Sequence, residues 1–68
     1  AETYYLLGLA RDAAGDGVAG EAAYRKALYL EPAHASALGQ LAALLEKRGD
    51  AEAAARLRAR ARRKGGEA

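Results

Sequence analysis

The sequence has no Cys, Met, Phe or Trp, and it has one Pro and one His. Without Cys, neither a disulfide nor a thiolate metal site can brace a chain of 68 residues. That usage suits a reducing, cytoplasmic compartment. One His among scattered acids supplies too few ligands on any face for a metal centre, and no cofactor is expected. No apolar run approaches the roughly 20 residues that cross a bilayer, and no signal-peptide pattern occurs, so no membrane span is expected. The absence of Met at position 1 reads as a piece of a longer chain, or one trimmed in processing.

Nucleophilic catalysis has little to work with. Thr3 and Ser36 are the only aliphatic hydroxyls. A nucleophile needs a base, and the base needs an orienting group. Ser36 and His34 are sequence neighbours without an evident third partner. The expected reading is an exposed loop histidine beside a helix-start serine, in a chain that is not an enzyme. Gly15-x-Gly17-x-x-Gly20 spells the dinucleotide pattern but follows a helical segment, where that pattern needs a strand. Arg48-Gly49-Asp50 spells an adhesion tripeptide, yet it lies in a turn that recurs as Gly15-Asp16.

What is abundant is alanine, more than any other residue type. Alanine is the strongest helix former and lets helices approach closely. The usage of Ala, Arg and Gly also points to a high-GC bacterial coding sequence. Apolar spacing and breakers divide the chain into four helices. The first covers 2–14 and stops at Gly15-Asp16-Gly17. The second covers 18–30, with Asp16 as its N-cap and Pro32 as its terminator. The third covers 35–48 and is stopped by Gly49. The fourth covers 51–64, is capped by Asp50 and is ended by Gly65-Gly66.

Sliding the chain until Ala1 meets Ala35 superposes Leu7 on Leu41, Gly15 on Gly49, Asp16 on Asp50, Ala19 on Ala53 and Ala27 on Ala61. Tyr4 falls on Leu38, Gly8 on Ala42 and Asp12 on Glu46. A period of about 34 residues with a helix–turn–helix reading marks one class of solenoid. The residues Tyr4-x2-Leu7-Gly8-x2-Arg11, then Gly20-x3-Tyr24, Ala27 and Pro32, resemble the tetratricopeptide repeat. Arg11 departs from an aromatic and Gly20 from the usual Ala, which is expected to loosen the start of the second helix. The second copy matches at Leu38, Leu41, Ala42, Leu45, Ala54 and Ala61 and departs at Arg58 and Gly66. The runs from Arg25 to Pro32 and from Leu41 to Glu46 further resemble the repeat modules appended to bacterial chemotaxis-receptor methyltransferases. The expected fold is therefore all-α: two hairpins of four antiparallel helices in a short right-handed solenoid. Repeat one is 1–34, repeat two is 35–64, and 65–68 is a disordered tail. Gly8, Ala27, Ala42 and Ala61 are expected where helices touch.

The resemblance implies a function as well: in this family the first helix of each repeat lines a concave groove for a protein or peptide. Carried over by position, the groove residues are Glu2, Tyr5, Leu9, Asp12 and Ala13, then Ser36, Gly39, Ala43, Glu46 and Lys47, with His34 at the rim. Tyr5 and Leu9, one turn apart, are expected to offer an exposed apolar strip. Family members that grip chaperone carboxylates use Lys and Asn where Tyr5, Leu9 and Ala43 stand here, so that clamp is not expected. A structural role, in which the repeats extend a solenoid or form a homo-oligomer, is the alternative.

Charge is divided along the chain. Residues 1–55 carry five Lys/Arg and eight Asp/Glu, a net of −3, whereas 56–68 carry six and one, a net of +5. Nucleic acid rewards such basic charge through counterion release, but no aromatic is interleaved in 56–64 for base stacking. The segment reads as the solvated face of a terminal helix, and no nucleic-acid partner is expected.

Overall fold

A computed structural model describes the backbone of residues 1–66 and the side chains of residues 1–63. Within these residues there are four helices and no strand: α1 (Glu2–Ala13), α2 (Gly17–Leu30), α3 (Ala35–Lys47) and α4 (Ala51–Gly66). Each packs on its sequence neighbour, α1 on α2, α2 on α3 and α3 on α4. The short turns make consecutive helices antiparallel. The expected boundaries shift by a single position in the first three helices. α4 runs through Gly65 to Gly66 and does not stop at them. The last two positions of the tail expected at 65–68 lie outside the described residues.

The two Gly-Asp pairs perform the same local chemistry. At the end of α1, Gly15 adopts φ 87° and Asp16 N–H donates to the Arg11 carbonyl at 2.9 Å. Gly15 N–H donates to the Asp12 carbonyl at 3.0 Å. At the end of α3, Gly49 adopts φ 91°, Asp50 N–H reaches the Leu45 carbonyl at 2.8 Å and Gly49 N–H the Glu46 carbonyl at 3.0 Å. Both are Schellman closures, which need a left-handed residue that glycine adopts without steric cost. Each aspartate then opens the next helix. Asp16 accepts from Ala19 N at 3.1 Å and Asp50 from Ala53 N at 3.2 Å. α2 ends at Leu30, just ahead of Pro32.

The core lies mainly in the second hairpin. Leu38, Leu41, Ala42, Leu44, Leu45, Ala54 and Leu57 are buried there, joined by Tyr24, Ala27 and Leu28 from α2. α1 buries only Gly8 completely. A Cβ at Gly8 would lie 2.5 Å from the Tyr24 ring, so the ring occupies the space a side chain would need. Gly20, which departs from the usual Ala, sits at a close helix crossing. It is buried where α2 crosses α1, and a Cβ there would meet the Asp12 backbone nitrogen and the Gly8 carbonyl at 3.3 Å. The expected touching positions are found: Ala27 and Ala42 are fully buried, Gly8 is buried and Ala61 packs on the core.

Candidate functional site

The expected groove residues fall into two clusters and one stripe. The first cluster forms where α1 begins and α3 begins. His34 is the N-cap of α3, and its Nδ1 accepts from Ala37 N at 3.1 Å. An accepting Nδ1 puts the ring proton on Nε2, which donates to Glu2 Oε1 at 3.2 Å. The Tyr5 ring lies 5.0 Å from the His34 ring and 6.2 Å from that of Tyr24. Glu2, Tyr5 and His34 thus tie the first repeat to the second.

This corrects two expectations. His34 is no exposed loop residue, because its side chain is only 11% exposed. Ser, Thr, Asp and Asn are the usual caps, so a capping histidine carried no signal in the sequence. Nor are Tyr5 and Leu9 an exposed strip: both are half-buried and pack on the core. α1 packs its Tyr5–Leu9 face on the core, with the Tyr5 ring beside the His34 ring at the start of α3.

The second cluster forms where α1 and α3 end. Asp12, Gly15, Gly17, Leu44, Lys47 and Arg48 line a shallow hollow of about 220 Å³. Asp12 is half-buried and faces Tyr24 as well: burial, with the Asp12 charge second, pushes the Tyr24 phenol above its ordinary value. Ala13, beside Asp12, is exposed. Glu46 is not available to this hollow. Arg58 of α4 donates to both of its carboxylate oxygens, at 2.8 and 3.1 Å. That hydrogen bonding holds the Glu46 carboxyl below the ordinary carboxylate value. Glu46 and Arg58 occupy the positions that Asp12 and Tyr24 hold in the first repeat.

Between the clusters runs a stripe on α3. Ser36, Gly39 and Ala43 are exposed, and Lys47 extends the row by one further turn. Positions three and four apart share one helix face. Their side chains are small or absent until Lys47, so a ligand's backbone could come close to this helix.

Among the described residues no group of three His, Cys, Asp or Glu side chains could hold a metal ion, and Ser36 is not bonded to His34. Among them, too, no helix is long and apolar enough to cross a membrane.

Paired helices closed by identical glycine turns define a helical-hairpin repeat protein. The sequence profile of the tetratricopeptide repeat matches residues 23–56, half of the chain, and the chain belongs to that family. Among curated proteins, it is 54% identical over 67 residues to a probable biofilm formation methyltransferase, WspC, of Pseudomonas putida, an alignment covering 98% of this chain and 16% of the relative. It is 56% identical over 63 residues to the protein of the same name from Pseudomonas aeruginosa, covering 93% of this chain and 15% of that relative. The chain therefore spans about a sixth of the length of these relatives. No solved structure matches it.

Proposed function

We propose that the chain is a non-catalytic protein-interaction module of a cytoplasmic bacterial methyltransferase, and that it receives a segment of another protein along the first helices of its two repeats. The observation that carries the reading is the stripe Ser36–Gly39–Ala43–Lys47, exposed and nearly free of side-chain bulk, bounded by a polar cluster at each end. A ligand segment lying along it would meet Glu2 and His34 at one end and Asp12 and Lys47 at the other. No cofactor enters this role. Membership of a family of binding repeats and the similarity to two methyltransferases support it.

Because Tyr5 and Leu9 belong partly to the core, the test uses the α3 stripe. Ala43→Arg and Ser36→Arg each add a long cation to an exposed position. In pull-downs from native lysate they should remove a partner that the parent protein retains, while circular dichroism stays unchanged. Retention of every partner by both variants would refute the assignment. Self-association is the second reading, favoured by the exposure of Leu6 at 53% and Val18 at 74% on the first hairpin. Sedimentation at two concentrations reads it directly, since a mass that grows with concentration would favour an assembly role.

A further inference from the structure

α3 packs on both α2 and α4, and a hollow of about 300 Å³ opens between those two neighbours. Arg25, Leu45, Ala53, Arg56, Leu57 and Arg60 line it. Leu45, its one residue from α3, stands two positions after Ala43. Residues two apart do not share a helix face, so the hollow lies away from the Ser36–Gly39–Ala43 stripe. Its lining divides by chemistry. Leu45, Ala53 and Leu57 form an apolar floor continuous with the core. Arg25 of α2 stands on one side, and Arg56 and Arg60 of α4, one turn apart, stand on the other. No acid is among the lining residues.

These three cations are positioned without being neutralised. Arg60 donates to the Pro32 carbonyl at 2.9 Å. That bond occupies one of the five guanidinium N–H donors and leaves the charge in place. Arg25 donates to Glu21 at 2.8 Å, but Glu21 also accepts from Arg48, so one carboxylate serves two cations. Arg56 is exposed and makes no ion pair among the described residues, even with Glu52 one turn earlier on its helix. Like charges gathered around one hollow repel each other, and an anion placed among them relieves that repulsion.

The floor narrows the class of anion. A bare inorganic anion would use the arginines and leave the leucines idle. Nucleic acid would stack its bases on aromatic side chains, and none lines the hollow. A peptide with an apolar side chain between two acids uses every part: the apolar group rests on Leu45, Ala53 and Leu57, and the carboxylates turn outward to the arginines. The two oxygens of a carboxylate match the fork of a guanidinium. Ligand sites begin at roughly 300 Å³, so this one suits a short segment and not a whole folded element.

We propose that the hollow between α2 and α4 is a second docking surface, which takes a short acidic segment of a partner protein with an apolar residue flanked by Asp or Glu. It does not depend on the reading of the α3 stripe, because the two surfaces share no residue.

A fluorescein-labelled peptide of three Glu-Leu-Glu units, titrated into the intact protein at low salt and followed by anisotropy, is the test. Binding should saturate. Arg56→Glu should weaken it by about ten-fold or more, and Arg56→Gln should weaken it less, in the same direction. Arg62→Glu changes the net charge equally at an exposed position outside the hollow, and it should alter binding by less than about two-fold. A peptide of three Glu-Ser-Glu units, equal in charge, should bind about five-fold more weakly or worse, since it leaves the floor uncovered. Circular dichroism should be the same in all variants, because Arg56 and Arg62 are exposed. Absence of saturable binding overturns the proposal. So do equal losses in Arg56→Glu and Arg62→Glu, which would mark general attraction to α4. Equal affinity for the serine peptide, or displacement by inorganic phosphate or an oligonucleotide at the peptide's own concentration, would make this a general anion site and overturns it too.

Discussion

At the scale of single residues, this fold depends on how closely two backbones approach at Gly8 and Gly20. A methyl at Gly8 would collide with a Tyr24 ring that is fully buried. Overpacking a core by one methyl costs about 1–3 kcal/mol, and the gain in helix propensity offsets about 1 kcal/mol of it. Gly8→Ala should therefore lose about 1–2 kcal/mol in chemical denaturation, the reverse of what propensity alone expects. An unchanged or raised midpoint would show that the ring can move. Tyr24 also carries a buried hydroxyl without a hydrogen-bond partner. Such a group costs stability, and removing it is nearly neutral or favourable. Tyr24→Phe should leave the melting temperature unchanged or raise it, and a clear fall measured by circular dichroism would mean that the hydroxyl has a partner in solution.

At the scale of the helices, the turns and ion pairs set where each element ends and which neighbour it holds. Gly49→Ala forces a Cβ into the left-handed region, which costs about 1–2 kcal/mol. In a domain this small, about 1 kcal/mol shifts melting by roughly 4–8 °C. The variant should melt lower by at least that much, and Gly15→Ala should behave alike because its turn is the same. Acid should act through Glu21, whose carboxyl is hydrogen-bonded by Arg25 of its own helix and by Arg48 of the α3–α4 turn. The Arg25 hydrogen bond, more than Arg48, holds Glu21 below its ordinary value of 4.5, against a smaller opposing effect of burial. A carboxyl depressed in the folded state stabilises above its unfolded value and loses that contribution as pH falls through the folded one. Melting should thus be flat between about pH 7 and 5.5 and decline below about 4.5. Glu21→Gln should flatten the decline, and salt should shrink it because the groups are partly exposed. An identical decline in the variant would assign acid lability elsewhere.

At the scale of the whole molecule, the two ends differ. The first hairpin presents an apolar face with leucines in solvent, whereas α4 presents arginines. Of these, Arg58 is taken up by Glu46 and Arg60 by the Pro32 carbonyl. Cations engaged in this way are less available to phosphates, and no aromatic stands among them for stacking. Filter binding with DNA or RNA at physiological salt should give only weak, non-specific affinity, on the order of 10⁻⁴–10⁻⁶ M. Sub-micromolar, steeply salt-dependent binding that is lost in Arg60→Glu with Arg63→Glu would make α4 a nucleic-acid surface.

The sequence by itself determined the four helices, their turns and their pairing. Those follow from local chemistry: glycines free to adopt positive φ, aspartates capping the next helix, a proline that cannot donate, and a repeat offset of about 34. It also marked the family, through small residues at the crossings. Tertiary packing alone decided how the Tyr5–Leu9 face of α1, His34 and Glu46 are used. Tyr5 and Leu9 share a face in any helix, but only the approach of α3 and the Tyr24 ring half-buries them. His34 becomes a cap because the chain leaving Pro32 aims its ring at Ala37 N, a matter of backbone direction that residue type does not encode. Glu46 is engaged by Arg58, which reaches back to it from the following helix, α4. Leu7 and Leu41 are the same residue in the same repeat position, yet one is exposed and the other buried. The difference is the presence of a neighbouring helix, which neither residue's local sequence contains.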